Sequence, residues 1–144
     1  MNLSGTYKLP MGRERAYAAL QDPEILARCM PGCDHLVKTG ENEYQMKMKL
    51  LLASFSGLFE GKVRVADQHE PESFRLMVEG HGKIGFVKGN GLLTLSADGD
   101  GTHVSYEGQV NIGGTIAAVG QRLLDTTSKM MIRKFFEKLA QVPA

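Results

Sequence analysis

Tryptophan is absent from this chain, and cysteine is nearly so, with two residues, Cys29 and Cys33. Two thiols make no disulfide framework, so apolar burial has to hold the fold and a reducing, cytoplasmic setting is expected. An excess of charge of either sign is missing too: 17 Lys and Arg against 16 Asp and Glu leave a net charge of +1. Such a balance offers no field for a polyanion, and nucleic acid is not expected as a partner. No apolar run approaches the ~20 residues of a membrane span, and the opening MNLSGTYKLP has no signal-like apolar stretch.

The usual arrangements for chemistry are also lacking. His35, His69, His81 and His103 are scattered without i, i+4 spacing, and Pro31 and Gly32 separate Cys29 from Cys33, so no metal site is expected and the thiols read as structural. No G-x-S-x-G elbow occurs. The acids Glu60, Glu79, Glu107 and Asp125 fall on predicted wet faces, which disfavours acid–base catalysis and an enzyme. The string from Gly80 to Gly85 fits G-x-G-x-x-G, but GLLTLSADG follows it, a strand where a dinucleotide fingerprint needs a helix.

What is present is glycine and methionine: 17 glycines spread along the chain and eight methionines. The length suits one domain, residues 1–144, able to bury roughly 70% of its unfolded surface. Asn2 to Leu9 reads as a strand, and PMGRERAYAALQ as a short helix. Asp22, Pro23 and Glu24 then supply an N-cap, a first-turn proline and a first-turn acid for a second one, stopped at Pro31–Gly32. From Cys33 to Ile112 the period becomes two. Tyr44, Met46, Met48 and Leu50 alternate with polar residues, as do Phe59, Gly61, Val63 and Val65, then Phe74, Leu76 and Val78, then Val104, Tyr106, Gly108, Val110 and Ile112. Six strands with one buried face are predicted here. Their breaks fall at KTGEN, at DQHEPES, at a glycine-rich connection around Gly80 to Gly91, and at a tight turn from Asp98 to Gly101. A long helix from about Thr115 to Gln141 completes the chain, with Ile116, Gly120, Leu123, Leu124, Thr127, Met131 and Phe135 on one arc. The expected fold is α+β, a seven-stranded curved antiparallel sheet wrapped around this helix, with two short helices after the first strand. That is the helix-grip arrangement of START-like proteins.

Four stretches carry a more specific likeness: LQDPEILARCMPGC from Leu20, FSGLFEGKV from Phe55, EGHGKIGFVKGNGLLTL from Glu79, and VNIGGTIAAVGQRLL from Val110 followed by Phe135–Phe136. With them the chain resembles the carbon monoxide dehydrogenase G-subunit family of the START-like (SRPBCC) superfamily over nearly its whole length. The resemblance implies a protein working beside a molybdenum-containing hydroxylase, in its maturation or membrane attachment, and implies no catalytic residues. Cyclase-like chemistry elsewhere in the superfamily remains a less favoured alternative by fold analogy alone.

The candidate site is therefore a cavity. Gly61, Gly108, Gly120 and Thr127 remove volume at inward positions where a core close-packs, and Met46, Met48 and Met131 supply adaptable walls. With Phe59, Val63, Leu76, Val78, Phe86, Tyr106, Val119 and Leu123 they form the predicted ligand-binding set, for a hydrophobic small molecule such as a quinone or another isoprenoid lipid. The alternative is an assembly or membrane-recruitment factor with no ligand. Ile84, Phe86 and Val87, set among glycines and flanked by Lys83 and Lys88, are expected to form a mobile gate able to touch the inner face of the membrane.

Overall fold

A computed structural model describes residues 1–52 and 55–142. Its elements run β1 (Asn2–Leu9), α1 (Arg13–Ala19), α2 (Pro23–Cys29), β2 (Cys33–Gly40), β3 (Glu43–Leu52), β4 (Phe55–His69), β5 (Ser73–Gly82), β6 (Gly85–Asp98), β7 (Gly101–Gly113), a 3-10 segment (Thr115–Val119) and α3 (Gln121–Leu139). All seven strands join one antiparallel sheet in the order β1-β7-β6-β5-β4-β3-β2. The first strand closes beside the last, and successive strands otherwise neighbour each other as short turns require.

Local chemistry explains the elements. The Asp22 carboxylate accepts from the amides of Glu24 at 2.9 Å and Ile25 at 3.4 Å, capping α2 with Pro23 behind it. At the β6–β7 turn Gly99 takes a φ of +60°, open to glycine without strain. The sheet buries one face: Leu9, Tyr44, Met46, Val63, Val65, Phe74, Leu95 and Val104 pack with α1, α2 and the end of α3. On α3, Asp125–Lys129 at 3.1 Å and Arg133–Glu137 at 3.6 Å are i, i+4 pairs on the outer side, each worth about 0.3–0.5 kcal/mol.

Two sequence expectations need correction. The long C-terminal helix is broken: a 3-10 segment precedes Gly120, whose φ of +100° and ψ of 153° cannot be helical, and α3 starts only at Gln121. The glycine-rich stretch from Gly80 to Gly91 is not a loop either. β5 and β6 stay paired out to Gly82–Gly85, leaving only Lys83 and Ile84 as the turn. Nor does that turn hang free as a gate. The Ile84 carbonyl accepts from the Ile116 amide at 2.7 Å, and the Ile84 side chain lies over Gly57, where an added Cβ would come within 2.8 Å of it.

Candidate functional site

The buried face divides into two clusters. The larger is built on Leu9, Phe74, Val104, Phe135, Phe136 and Leu139. The smaller joins Phe59, Ile116 and Leu124 with half-buried Leu50, Ile84, Val87, Ile112, Val119 and Leu123. Each central strand passes from one cluster to the other through glycine. In β4 it is Gly61, between Phe59 and Val63; in β5 it is Gly80; in β6 Gly89 and Gly91, between Val87 and Leu93; in β7 Gly108, with Val110 beside it. Register sets these glycines side by side, Gly61 against Gly80 and Gly91 against Gly108. The helix repeats the pattern. Leu124 near its start and Phe135, Phe136 and Leu139 near its end are buried, while Thr127, Ser128 and Met131 between them are half-buried. Its packing follows suit, closer to α2, β1 and the 3-10 segment than to the central strands.

These glycines are of two kinds. At Gly61 an added Cβ would run into the Glu79 carbonyl, and at Gly108 it would meet the Asn90 carbonyl at 2.5 Å and Gly91 Cα at 2.8 Å. Both allow close backbone approach in a coiled sheet, so they do not provide the empty volume inferred from the sequence. Gly89 and Gly91 differ. An added Cβ would meet only atoms of the neighbouring strand β7, at 3.5 Å and beyond, and no atom of α3 within 4 Å. Gly80 is similar, with Met46, Glu60 and Phe59 atoms at 3.8–3.9 Å. The floor with room above it is thus Gly80, Gly89 and Gly91. Strict alternation along Val87, Gly89, Gly91, Leu93 and Leu95 was the signal that could have found it.

Among the other predicted site residues, Met46, Phe59 and Val63 are buried, and Met48, Leu76, Val78, Tyr106, Val119, Leu123, Thr127 and Met131 are half-buried. Two residues do not belong. Gly120 is exposed with nothing within 4 Å of its Cβ position, and glycine is required there by the backbone angle. Phe86 pairs with His81 and Gly113 on the outer face and is 50% exposed, its ring filling the place of a Gly113 Cβ.

One aromatic wall was not anticipated. Tyr7 stacks on Phe136 at 4.6 Å between ring centroids, and Tyr106 lies 6.2 Å from Phe136 and 6.4 Å from Tyr7. Burial pushes the Tyr106 phenol up from the usual 10.0, as it does Tyr17, whose hydroxyl donates to the Ser73 carbonyl at 3.0 Å. Burial likewise raises the Cys29 and Cys33 thiols. All four histidines are exposed, and no group of three or more His, Cys, Asp or Glu among the described residues could hold a metal. Two surface recesses lie elsewhere. One of about 360 Å³ is bordered by Tyr17, Ala18, Gln21, Gln68 and Glu70, and one of about 450 Å³ by Arg75, Asn90, Glu107 and Gln109 on the outer face. Both are open and mostly polar.

Comparison with known proteins agrees with this architecture. The family model for the carbon monoxide dehydrogenase G subunit (CoxG) matches residues 5–142. The comparison with curated proteins gives no match. Among solved structures, a conserved protein from Geobacillus kaustophilus is 32% identical with a TM-score of 0.93, covering 98% of this chain and 93% of that one. A START superfamily protein from Mycobacterium smegmatis is 13% identical, with a TM-score of 0.70 over 96% and 94% of the two chains. The Zhui aromatase/cyclase from Streptomyces sp. R1128 is 8% identical, with a TM-score of 0.67 over 97% and 91%. The last two are alike in fold only, and that fold is the START-like helix grip.

Proposed function

The chain belongs to the CoxG family, that of the carbon monoxide dehydrogenase G subunit, and from that premise we propose that it carries a hydrophobic ligand between α3 and the glycine floor of its sheet. The ligand is a quinone or another isoprenoid lipid, and the enzyme served is a molybdenum-containing hydroxylase of the carbon monoxide dehydrogenase type. One observation supports the reading above the rest: at Gly89 and Gly91 even an added methyl would touch nothing of the helix. Protein interiors close-pack, so a gap crossed by four strands and one helix calls for an occupant. The residues around it are mostly apolar or phenolic, joined by Thr127 and Ser128, with Met48 and Met131 able to repack around chains of different length.

An enzyme acting on a small gas has to deliver its electrons, and an acceptor that lives in lipid needs an apolar container to reach it. Catalysis by this chain itself is not part of the proposal. Native mass spectrometry of the protein as purified and after addition of decylubiquinone tests the reading. A lipid-sized or quinone adduct is the expected result. A clean apo mass that ignores added quinone would overturn it and leave a recruitment factor for the enzyme.

A further inference from the structure

A hydroxyl shut away from water normally finds a partner in the protein, and two buried ones here do. Tyr17 donates to the Ser73 carbonyl at 3.0 Å, and Thr102 to the Met11 carbonyl at 2.8 Å. Tyr7 and Tyr106 behave differently. Both are half-buried, and neither phenol has a hydrogen-bond partner among the described residues. The fourth tyrosine, Tyr44, stands apart on β3.

Tyr7 and Tyr106 lie on neighbouring strands, and the Phe136 ring of α3 packs against both, the three rings within 20° of parallel. The Tyr106 ring leans away from the glycine floor. Its hydroxyl oxygen stands 2.6 Å from the place of a Gly5 Cβ, whereas no atom of the ring comes within 4 Å of the same place at Gly91. Gly91 is nonetheless next to it: Tyr106 pairs with Leu93, and Gly91 is the following residue on that face of β6. Burial first, and the Tyr7 phenol second, raise the Tyr106 phenol, so the two oxygens stand near each other and Tyr106 keeps its proton at neutral pH. Two hydroxyls without a protein partner therefore sit beside one end of the Gly91–Gly89 floor.

We propose that Tyr7 and Tyr106 hold the head of the ligand, each donating a hydrogen bond to the same carbonyl oxygen of a quinone-type ring, while the tail runs over Gly91 and Gly89. The proposal rests on the carrier reading above and adds which end takes the head and what the head must carry. A carbonyl oxygen has two lone pairs and accepts from both phenols. A carboxylate head would bring a charge beside the Phe136 ring, and an all-hydrocarbon lipid would leave two hydroxyls unpaired once it displaced their water. Gly89 pairs with Val110, four residues and about 14 Å along β7 from Tyr106, so head and tail occupy different ground.

The experiment is equilibrium binding of decylubiquinone and of decylbenzene, which carries the same tail on a ring without carbonyls, to the full chain. The wild-type chain should bind decylubiquinone more tightly, although decylbenzene is the more apolar. Each neutral hydrogen bond is worth about fivefold in affinity, so Tyr7→Phe with Tyr106→Phe should weaken decylubiquinone roughly twenty-fivefold and leave decylbenzene unchanged. A merely structural role for the two rings would not shift that ratio. Neither hydroxyl is bonded within the protein, so the melting temperature should stay at the wild-type value, and Tyr44→Phe should change neither affinity. A wild-type chain that binds neither compound would overturn the carrier reading and this proposal with it. A wild-type chain that binds decylubiquinone no tighter than decylbenzene, or a double variant with full affinity for decylubiquinone, would overturn this proposal and leave the carrier reading standing.

Discussion

Replacing Gly91 with leucine separates an open gap from a tight contact. The Cβ at this position would sit 3.5 Å from the Glu107 carbonyl oxygen and 3.9 Å from Gly108 Cα, which is ordinary contact, and the backbone is not left-handed. Removing a glycine from a strand interior recovers about 0.5–1 kcal/mol of chain entropy. The leucine side chain extends toward the half-buried middle of α3 and covers apolar surface there, adding less than the roughly 1.5–3 kcal/mol of a fully buried leucine. Stability should therefore hold or rise by about 1 kcal/mol, a shift of roughly 3–4 °C for a chain of this size. Quinone binding, read as the adduct fraction by native mass spectrometry, should fall at least about tenfold because the added carbons occupy the ligand's space. Gly61→Leu is the contrast: its Cβ meets the Glu79 carbonyl, so it should cost roughly 1–3 kcal/mol or more. A Gly91→Leu protein destabilised by about 2 kcal/mol that still takes up quinone would refute the reasoning, since the space would be neither empty nor the binding site.

Three further outcomes follow from other parts of the fold. Gly120→Ala should lose about 1–3 kcal/mol in denaturant titrations, because its φ and ψ are nearly exclusive to glycine; an unchanged midpoint would mean the joint before α3 relaxes freely. Amides of Gly85 to Gly91 should exchange as slowly as those of β5, since β6 is paired on both sides; fast exchange there without ligand would restore the gate expected from the sequence. Tyr17 and Tyr106 have raised folded-state values caused by burial, so the folded chain holds those protons more tightly than the unfolded one. Their contribution is complete below the unfolded value near 10 and is lost as pH rises through the folded values. Melting temperature should therefore decline as pH rises above about 10, and Tyr106→Phe should soften that decline; a flat profile would contradict the burial of both phenols.

Much of the fold was legible because alternation and capping are local. Asp22 with Pro23 specified the start of α2, and the two-residue period of Tyr44 to Leu50 and Val104 to Ile112 specified both strands and their buried face. Errors arose where one glycine has several uses. At Gly120 a 100° projection counts a residue as helical whatever the sign of φ, so an obligatory break passed for an inward position. Between Gly80 and Gly91 glycine's low intrinsic strand preference suggested a loop, while pairing with β5 and β7 overrode it. At Gly61 and Gly108 the direction of the missing Cβ depends on how the sheet coils, which no single strand encodes. Among the residues assigned to the site, Gly61 and Gly108 are close backbone contacts and Gly120 is a break before α3, for the same reason.

The division of the buried face has a mechanical consequence. The helix α3 is fastened near its start by Leu124 and near its end by Phe135, Phe136 and Leu139, the latter three each worth about 1.5–3 kcal/mol when buried. Between these supports Thr127, Ser128 and Met131 are only half-buried. Under the proposed reading, bowing of this stretch would change the clearance above Gly89 and Gly91 without loosening either support, so guests of different girth would be accommodated by elastic bending while the anchors stay seated. Thr127, Ser128 and Met131, at mid-span, can then be exchanged to tune that clearance at little cost to the stability of the whole.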